Sequence, residues 1–288
     1  MNQHTRQPVS SRPSIPPTGL LVIAVITTQM GSAFAKALFS QVGPAGMVCL
    51  RVGLAAIALL LLWRPRWTAE TQRHWWLLVR FGTALSMMNF TFYLAIERLP
   101  IGIAVAIEFL GPLGLAAAKS RRWMDGLWVA LAAIGIILLT PWGGFDVDPV
   151  GILFALIAAS CWAAYIMLSA QTGQALPGGQ GLAWAMVVGA ILLLPIGIAG
   201  AGASLLNPLF MGLGLGVALL SSVVPYSCEL EALRSLPVYV VGILLSLEPV
   251  AAAVSGWIVL GEILSVRAMV AILLVAIAAA GVSRPQAS

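Results

Sequence analysis

The sequence predicts an all-α integral membrane protein: ten transmembrane helices arranged as two inverted five-helix repeats. Three observations predict it. Hydrophobic residues make up 60% of the 288 and charged residues only 9%, where a soluble domain carries about 25% charged. The apolar residues run in blocks of transmembrane length, not in a helical stripe with a polar back. A set of Leu-Pro, Pro and acidic marks also recurs at one fixed offset along the chain.

Stretches of about 20 apolar residues place the first-half helices at Gly19–Phe39, Ala45–Trp63, Trp75–Ile96, Ile101–Lys119 and Met124–Pro141. The second half holds Val150–Ser169, Gly181–Gly200, Leu209–Cys228, Val238–Leu260 and Leu264–Val282. The first run follows a polar tail with Arg6 and Arg12, and its Ala33-Phe34-Ala35 mimics a signal-peptidase site. It is long enough to span, and Lys36 follows the would-be cleavage point, so a retained helix is expected. Connectors are marked by Pro, Gly and charge, as in Arg64-Pro65-Arg66, Ser120-Arg121-Arg122 and Gly143-Gly144-Phe145-Asp146. Trp63, Trp67, Trp75, Trp76, Trp123 and Trp142 cluster at these ends as an aromatic belt.

The repeat is specific. Leu99-Pro100 is followed twelve residues on by Pro112 and thirteen further by Asp125; Leu236-Pro237 is followed at the same spacings by Pro249 and Glu262. Five helices per half is an odd number, so the second half must enter from the opposite side. That architecture puts a central site at the interface of the halves. The expected organisation is a tail (1–18), a first repeat (19–142), a linker (143–149), a second repeat (150–283) and a tail (284–288).

Basic residues set the orientation. The tails and alternate loops hold Arg6 and Arg12; Arg64, Arg66 and Arg73; Lys119, Arg121 and Arg122; Arg234; and Arg284, whereas the opposite loops hold only Arg98 and Arg267. Both termini are therefore expected in the cytoplasm, with the Asp146 and Asp148 loop outside. The net charge of +5 is this topology signal, not a nucleic-acid footprint, which needs a clustered basic face. Cys49, Cys161 and Cys228 lie far apart inside apolar runs and read as small packing residues.

The run Tyr93–Pro112 resembles the signature of the drug/metabolite transporter superfamily, EamA type. Leu50-Arg51, Cys161-Trp162-Ala163-Ala164-Tyr165, Ser246-Leu247-Glu248-Pro249 and Gly261-Glu262 agree with it. Within that superfamily, Gly102–Pro112, Ser120–Arg122, Pro225-Tyr226-Ser227 and Ser246–Ser255 look most like the bacterial threonine/homoserine exporters. The resemblance covers residues 19–283. It implies a ten-helix fold with a cavity between repeats and export of amino acids across the inner membrane. An efflux carrier for other small metabolites or drugs is the alternative on the same fold.

A charge at a helix centre costs about 2.5–3.5 kcal/mol on insertion scales, so each one is a functional candidate. The set read from the sequence is Lys36, Arg51, Glu108 and Glu248. Glu108 precedes Gly111-Pro112 and Glu248 adjoins Pro249; proline frees the carbonyl one turn earlier, and such breaks are tolerated where backbone lines a cavity. A zwitterionic amino acid needs an acceptor for its ammonium, for which Glu108 is the candidate, and a cation for its carboxylate, Arg51 or Lys36. The competing reading is an internal ion pair, Arg51–Glu108 or Lys36–Glu108, that never meets substrate. Glu248 has a further reading as a protonatable coupling residue. Asn89, Tyr93, Trp162, Tyr165 and Tyr226 are candidate pocket residues, with Asn89 and Tyr226 at the same repeat position. Glu97, Arg98, Glu229, Glu231 and Arg234 fall at helix ends, where pairing or gating at the rim is expected.

Other classes are excluded. His4 and His74 are the only histidines, no HExxH or GxSxG exists, and Asp125, Asp146 and Asp148 lie at or beyond helix ends. Gly212-x-Gly214-x-Gly216 lacks a preceding strand and reads as helix packing, not nucleotide binding. No Walker motif is present. No enzyme, cofactor, metal or nucleic-acid partner is expected; the partners are the bilayer and a small-molecule substrate, and ten helices suffice for a monomer.

Overall fold

The computed structural model describes residues 16–119, 123–139, 148–236, 241 and 244–282. Among them every regular element is a helix. In order these are α1 (Pro17–Ala37), α2 (Phe39–Trp63), the short α3 (Ala69–Arg73), α4 (Trp75–Arg98), α5 (Ile101–Glu108), α6 (Leu110–Lys119) and α7 (Trp123–Leu139). They continue with α8 (Pro149–Ala175), α9 (Gln180–Ala201), α10 (Pro208–Ala218), α11 (Val224–Ser235), α12 (Glu248–Leu260) and α13 (Val266–Val282). Among the described residues, five segments are long and apolar enough to cross a membrane: Pro17–Ala37, Phe39–Trp63, Pro149–Ala175, Gln180–Leu206 and Pro208–Glu229. Shorter apolar helices accompany them. Ile57, Leu61, Ile191, Leu194, Ile198 and Ile258 point outward, as a lipid-facing surface requires.

Local chemistry explains the boundaries. Proline opens α1, α8 and α10, where its missing N–H would be an orphan anyway. Asp148 caps α8 by accepting the Val150 N–H at 2.8 Å, and Asn207 caps α10 by accepting the Leu209 N–H at 2.9 Å. Gly43, at φ 71°, bends α2 just before Pro44, so the straight part starts where the sequence placed its second helix.

Three expected spans differ in detail. Ile101–Lys119 is two helices, broken at Phe109, because Pro112 cannot donate to the Glu108 carbonyl. Leu209–Cys228 extends from Pro208 to Ser235 and contains a π turn at Leu219–Val223. That turn lies just before Pro225, which cannot donate to the Ser221 carbonyl. In the ninth span, α12 begins only at Glu248, and residues 237–240, 242 and 243 lie outside the described residues, as do most of the linker, residues 1–15 of the first expected tail and all of 284–288; the first helix starts at Pro17, two residues inside the expected tail.

Helix pairings come in matched sets. α4 packs on α8 and α9, while α1 packs on α11 and α2 on α10; α2 meets α9, α7 meets α13 and α5 meets α12. Small residues let backbones approach at the α2–α9 seam. A side chain at Gly197 would strike Cys49, and one at Gly46 would strike Ala201. Of the three spaced glycines, Gly214 packs on Leu50 and Leu54 of α2, while Gly212 and Gly216 touch nothing comparable. The main core, including Met47, Phe92, Tyr93, Ile96, Ile107 and Met186, fills the centre of these contacts.

Candidate functional site

Arg51 is the organising residue. It sits near the middle of α2, 4% exposed, and donates from Nε to Ser222 Oγ at 3.0 Å and from Nη2 to the Ser221 carbonyl at 2.8 Å. Its Nη1 donates to the Tyr93 hydroxyl at 3.4 Å, and its guanidinium carbon lies 5.5 Å from the centre of that ring. The Ser221 carbonyl belongs to the π turn ahead of Pro225, so a proline four residues on supplies the acceptor. A guanidinium has five N–H donors. These three bonds leave one N–H on each terminal nitrogen, the two donors that a bidentate carboxylate contact uses.

Around it the structure gathers most of the expected residues. Glu108, buried, ends α5 and acts electrostatically with Arg51. Among the described residues neither Glu108 nor Glu248 forms an ion pair, so the Arg51–Glu108 pair is a neighbour relation across space. Glu248, also buried, opens α12, where a helix N-terminus favours negative charge. It feels the charges of Glu229 and Glu108. Buried Asn89 donates to the Leu85 carbonyl at 2.8 Å and lies within side-chain hydrogen-bond reach of Tyr226, so the repeat-related pair meets. Tyr165 stacks on Tyr226 with centroids 6.2 Å apart, and Trp162 stands edge-on against Phe109 at 5.3 Å, beside the helix break. Pro112 and Pro249 mark the breaks on the two facing half-helices α5–α6 and α12.

Lys36 lies elsewhere. In the last turn of α1 it donates to Glu262 Oε1 at 2.6 Å and to the Leu99 carbonyl at 2.7 Å, while Glu262 Oε2 accepts the Ile101 N–H at 2.9 Å. The Lys36–Glu108 pair that the sequence allowed is not formed. Gly261 explains the actual one: in the left-handed conformation (φ 67°) it ends α12 and folds Glu262 back over Gly256, where any side chain would meet its carboxylate.

Two charged residues were misplaced or left out by the sequence reading. Glu229, placed at a helix end because the apolar run stops at Cys228, sits within α11 and acts electrostatically on Tyr165, Tyr226 and Glu248. Its signal was the three-residue spacing from Tyr226, which puts both on one face. Arg80, which the sequence reading left out, is exposed in the second turn of α4, where a long side chain reaches the interface. At the rim, Arg98 pairs with Asp148 at 2.9 Å, as expected of a helix-end charge.

An α-helical bundle with broken helices and buried charges at the breaks defines a membrane transporter. The EamA-like transporter family model matches residues 149–284. The threonine/homoserine exporters RhtA of Salmonella typhimurium and of Escherichia coli K12 are each 42% identical over 254 residues, covering 86% of this chain and 85% of theirs. The uncharacterised transporter YwfM of Bacillus subtilis is 25% identical over 229 residues, covering 76% and 77%. A crystal structure 19% identical superposes with a TM-score of 0.60 over 93% of this chain and 96% of its own, a likeness of fold. The chain belongs to the EamA-like transporter family, and it is a transporter of small molecules, not an enzyme.

Proposed function

We propose that the protein exports amino acids of the threonine and homoserine kind across the bacterial inner membrane by alternating access. In this reading, residues 19–142 and 150–283 are inverted repeats of five spans each, joined by 143–149. The tails 1–18 and 284–288 are cytoplasmic, and a monomer suffices. The matched helix pairings and the prolines at one offset support the repeat. The names of the 42%-identical relatives support the cargo.

The observation that carries the site is Arg51, held by neutral oxygens beside a buried carboxylate. The substrate carboxylate takes the free fork of Arg51, and its ammonium takes Glu108. Asn89, Tyr93, Trp162, Tyr165 and Tyr226 form the wall. Glu248, with Glu229, is the candidate for carrying a proton in the return step, and Lys36 acts on the site only at a distance. The aromatic wall favours a second reading, in which aromatic amino acids or other small metabolites are also exported.

Efflux from proteoliposomes loaded with a panel of radiolabelled amino acids, with and without a pH gradient, tests this. Threonine or homoserine efflux well above protein-free vesicles is expected; efflux of none of the panel sinks the proposal. Glu248→Gln efflux that still responds to the pH gradient as the unmodified protein does removes Glu248 as the proton carrier.

A further inference from the structure

The Lys36–Glu262 cluster is built differently from a rim ion pair. Its side chains are only 19% and 14% exposed, so most of the pair is withdrawn from water. Lys36 comes from the first half of the chain and Glu262 from the second, and each also holds a backbone group at the α4–α5 junction, the Leu99 carbonyl and the Ile101 N–H. The Arg98–Asp148 tie lies at the same end, on the residue next to Leu99.

The placement of the half-helices gives this cluster a consequence. α5 runs from Ile101, at the cluster, to Glu108, at the centre, a rise of about 12 Å for its length. α12 runs from Glu248, at the centre, to Gly261 and Glu262, at the cluster. The two helices pack on each other. Each is therefore a short rod with a central carboxylate at one end and a partner of the cluster at the other. A charged ligand that shifts either carboxylate shifts the rod, and the rod pulls on Lys36–Glu262. The segment after α12 is non-helical from Gly261 to Ser265, a place where backbone rotation is absorbed.

We infer that Lys36–Glu262 is the closing contact of the transport cycle at its end of the bundle, the end proposed to face outward. It holds while that end is shut and parts when the end opens to release cargo. Both charges lie at helix ends, so water can take them up when they separate, which lets the contact re-form in each cycle. The inference rests on the transport reading above.

The test bridges the contact. In a chain with Cys49, Cys161 and Cys228 replaced, Lys36→Cys and Glu262→Cys are joined by a short bis-methanethiosulfonate. Threonine efflux should fall at least tenfold and return on reduction; efflux undiminished by the bridge overturns the inference and makes the pair a static strut. If the unbridged double variant does not export, accessibility decides instead. With Cys161, beside Glu108, as the sole cysteine, Glu262→Ala should raise its labelling by an impermeant maleimide several-fold from the Lys36 side. Equal labelling rates with and without the Glu262→Ala change overturn the closing role. Loss of all efflux in the unmodified chain would instead remove the transport reading and leave the labelling result to stand.

Discussion

Lys36 and Arg51 are the two cations that α1 and α2 carry into the bundle, and they are held in opposite ways. Lys36 meets a carboxylate directly, at 2.6 Å. Arg51 meets a serine hydroxyl, a backbone carbonyl and a tyrosine hydroxyl, all neutral. A cation against a carboxylate spends its charge on that contact. A cation solvated by neutral oxygens is fixed in direction yet keeps its charge for something that arrives later. The first arrangement suits a contact between halves; the second suits a site for an anion.

The largest expected effect comes from removing the guanidinium. Arg51→Met strips three buried acceptors of their donor, each at a cost of about 1–3 kcal/mol, and takes the cation from beside Glu108. Efflux should fall to background and the yield of monodisperse protein in detergent should drop. Arg51→Lys sharpens the comparison by keeping the charge and losing the fork. It should fold and raise the KM for substrate about tenfold, equivalent to about 1.4 kcal/mol. Efflux with an unaltered KM would break the idea that the fork binds a carboxylate. Glu108→Gln is the complementary change at constant volume. Folded yield should hold while efflux falls by roughly tenfold or more; loss of the folded protein instead would make Glu108 a strut.

How much of this was legible depends on the distance over which each feature is encoded. The α5–α6 break and the Glu108 carboxylate were readable, because Pro112 acts on a carbonyl four residues away. So were Asn89 and Tyr226, since the repeat places them together. Lys36 was assigned to the centre because its partner lies 226 residues away, brought there by the left-handed turn at Gly261. Ser221 and Ser222 carry no signal of their own in the sequence. Only the π turn ahead of Pro225 aims them at Arg51. Glu229 was lost to a boundary drawn by hydropathy, where the helix itself continues to Ser235.

A smaller effect probes the shell that holds Arg51. Ser222→Ala removes the acceptor of Nε and leaves two partners. A bond to a charged group is worth about 1.5–3 kcal/mol, so the thermal transition in detergent should fall measurably. Efflux should drop only a few-fold, because the fork stays. Pro225→Ala should act more gently still. It returns an N–H that competes with Arg51 for the Ser221 carbonyl, so the KM should rise a little with folded yield unchanged. A loss of efflux as large as that of Arg51→Lys would mean the shell, not the charge, is the essential part.

The smallest effect is expected at Arg98–Asp148, a tie from the first half to the linker, at the same end as Lys36–Glu262 but open to water. The Arg98 guanidinium, and next the Val150 N–H, hold the Asp148 carboxyl below the usual carboxylate range. A depressed carboxylate contributes stability above its unfolded pKa and loses it as pH falls through the lower, folded value. At neutral pH the contribution is fully present but screened by solvent, so Arg98→Gln should lower the melting temperature only slightly. Below the carboxylate range the two proteins should melt together, since Asp148 is then protonated in both. A gap that persists in acid would show that Arg98 acts by packing instead. Removing the Glu262 carboxylate by Glu262→Gln should lower the melting temperature more, because that pair is withdrawn from water; equal falls would erase the distinction between the two ties.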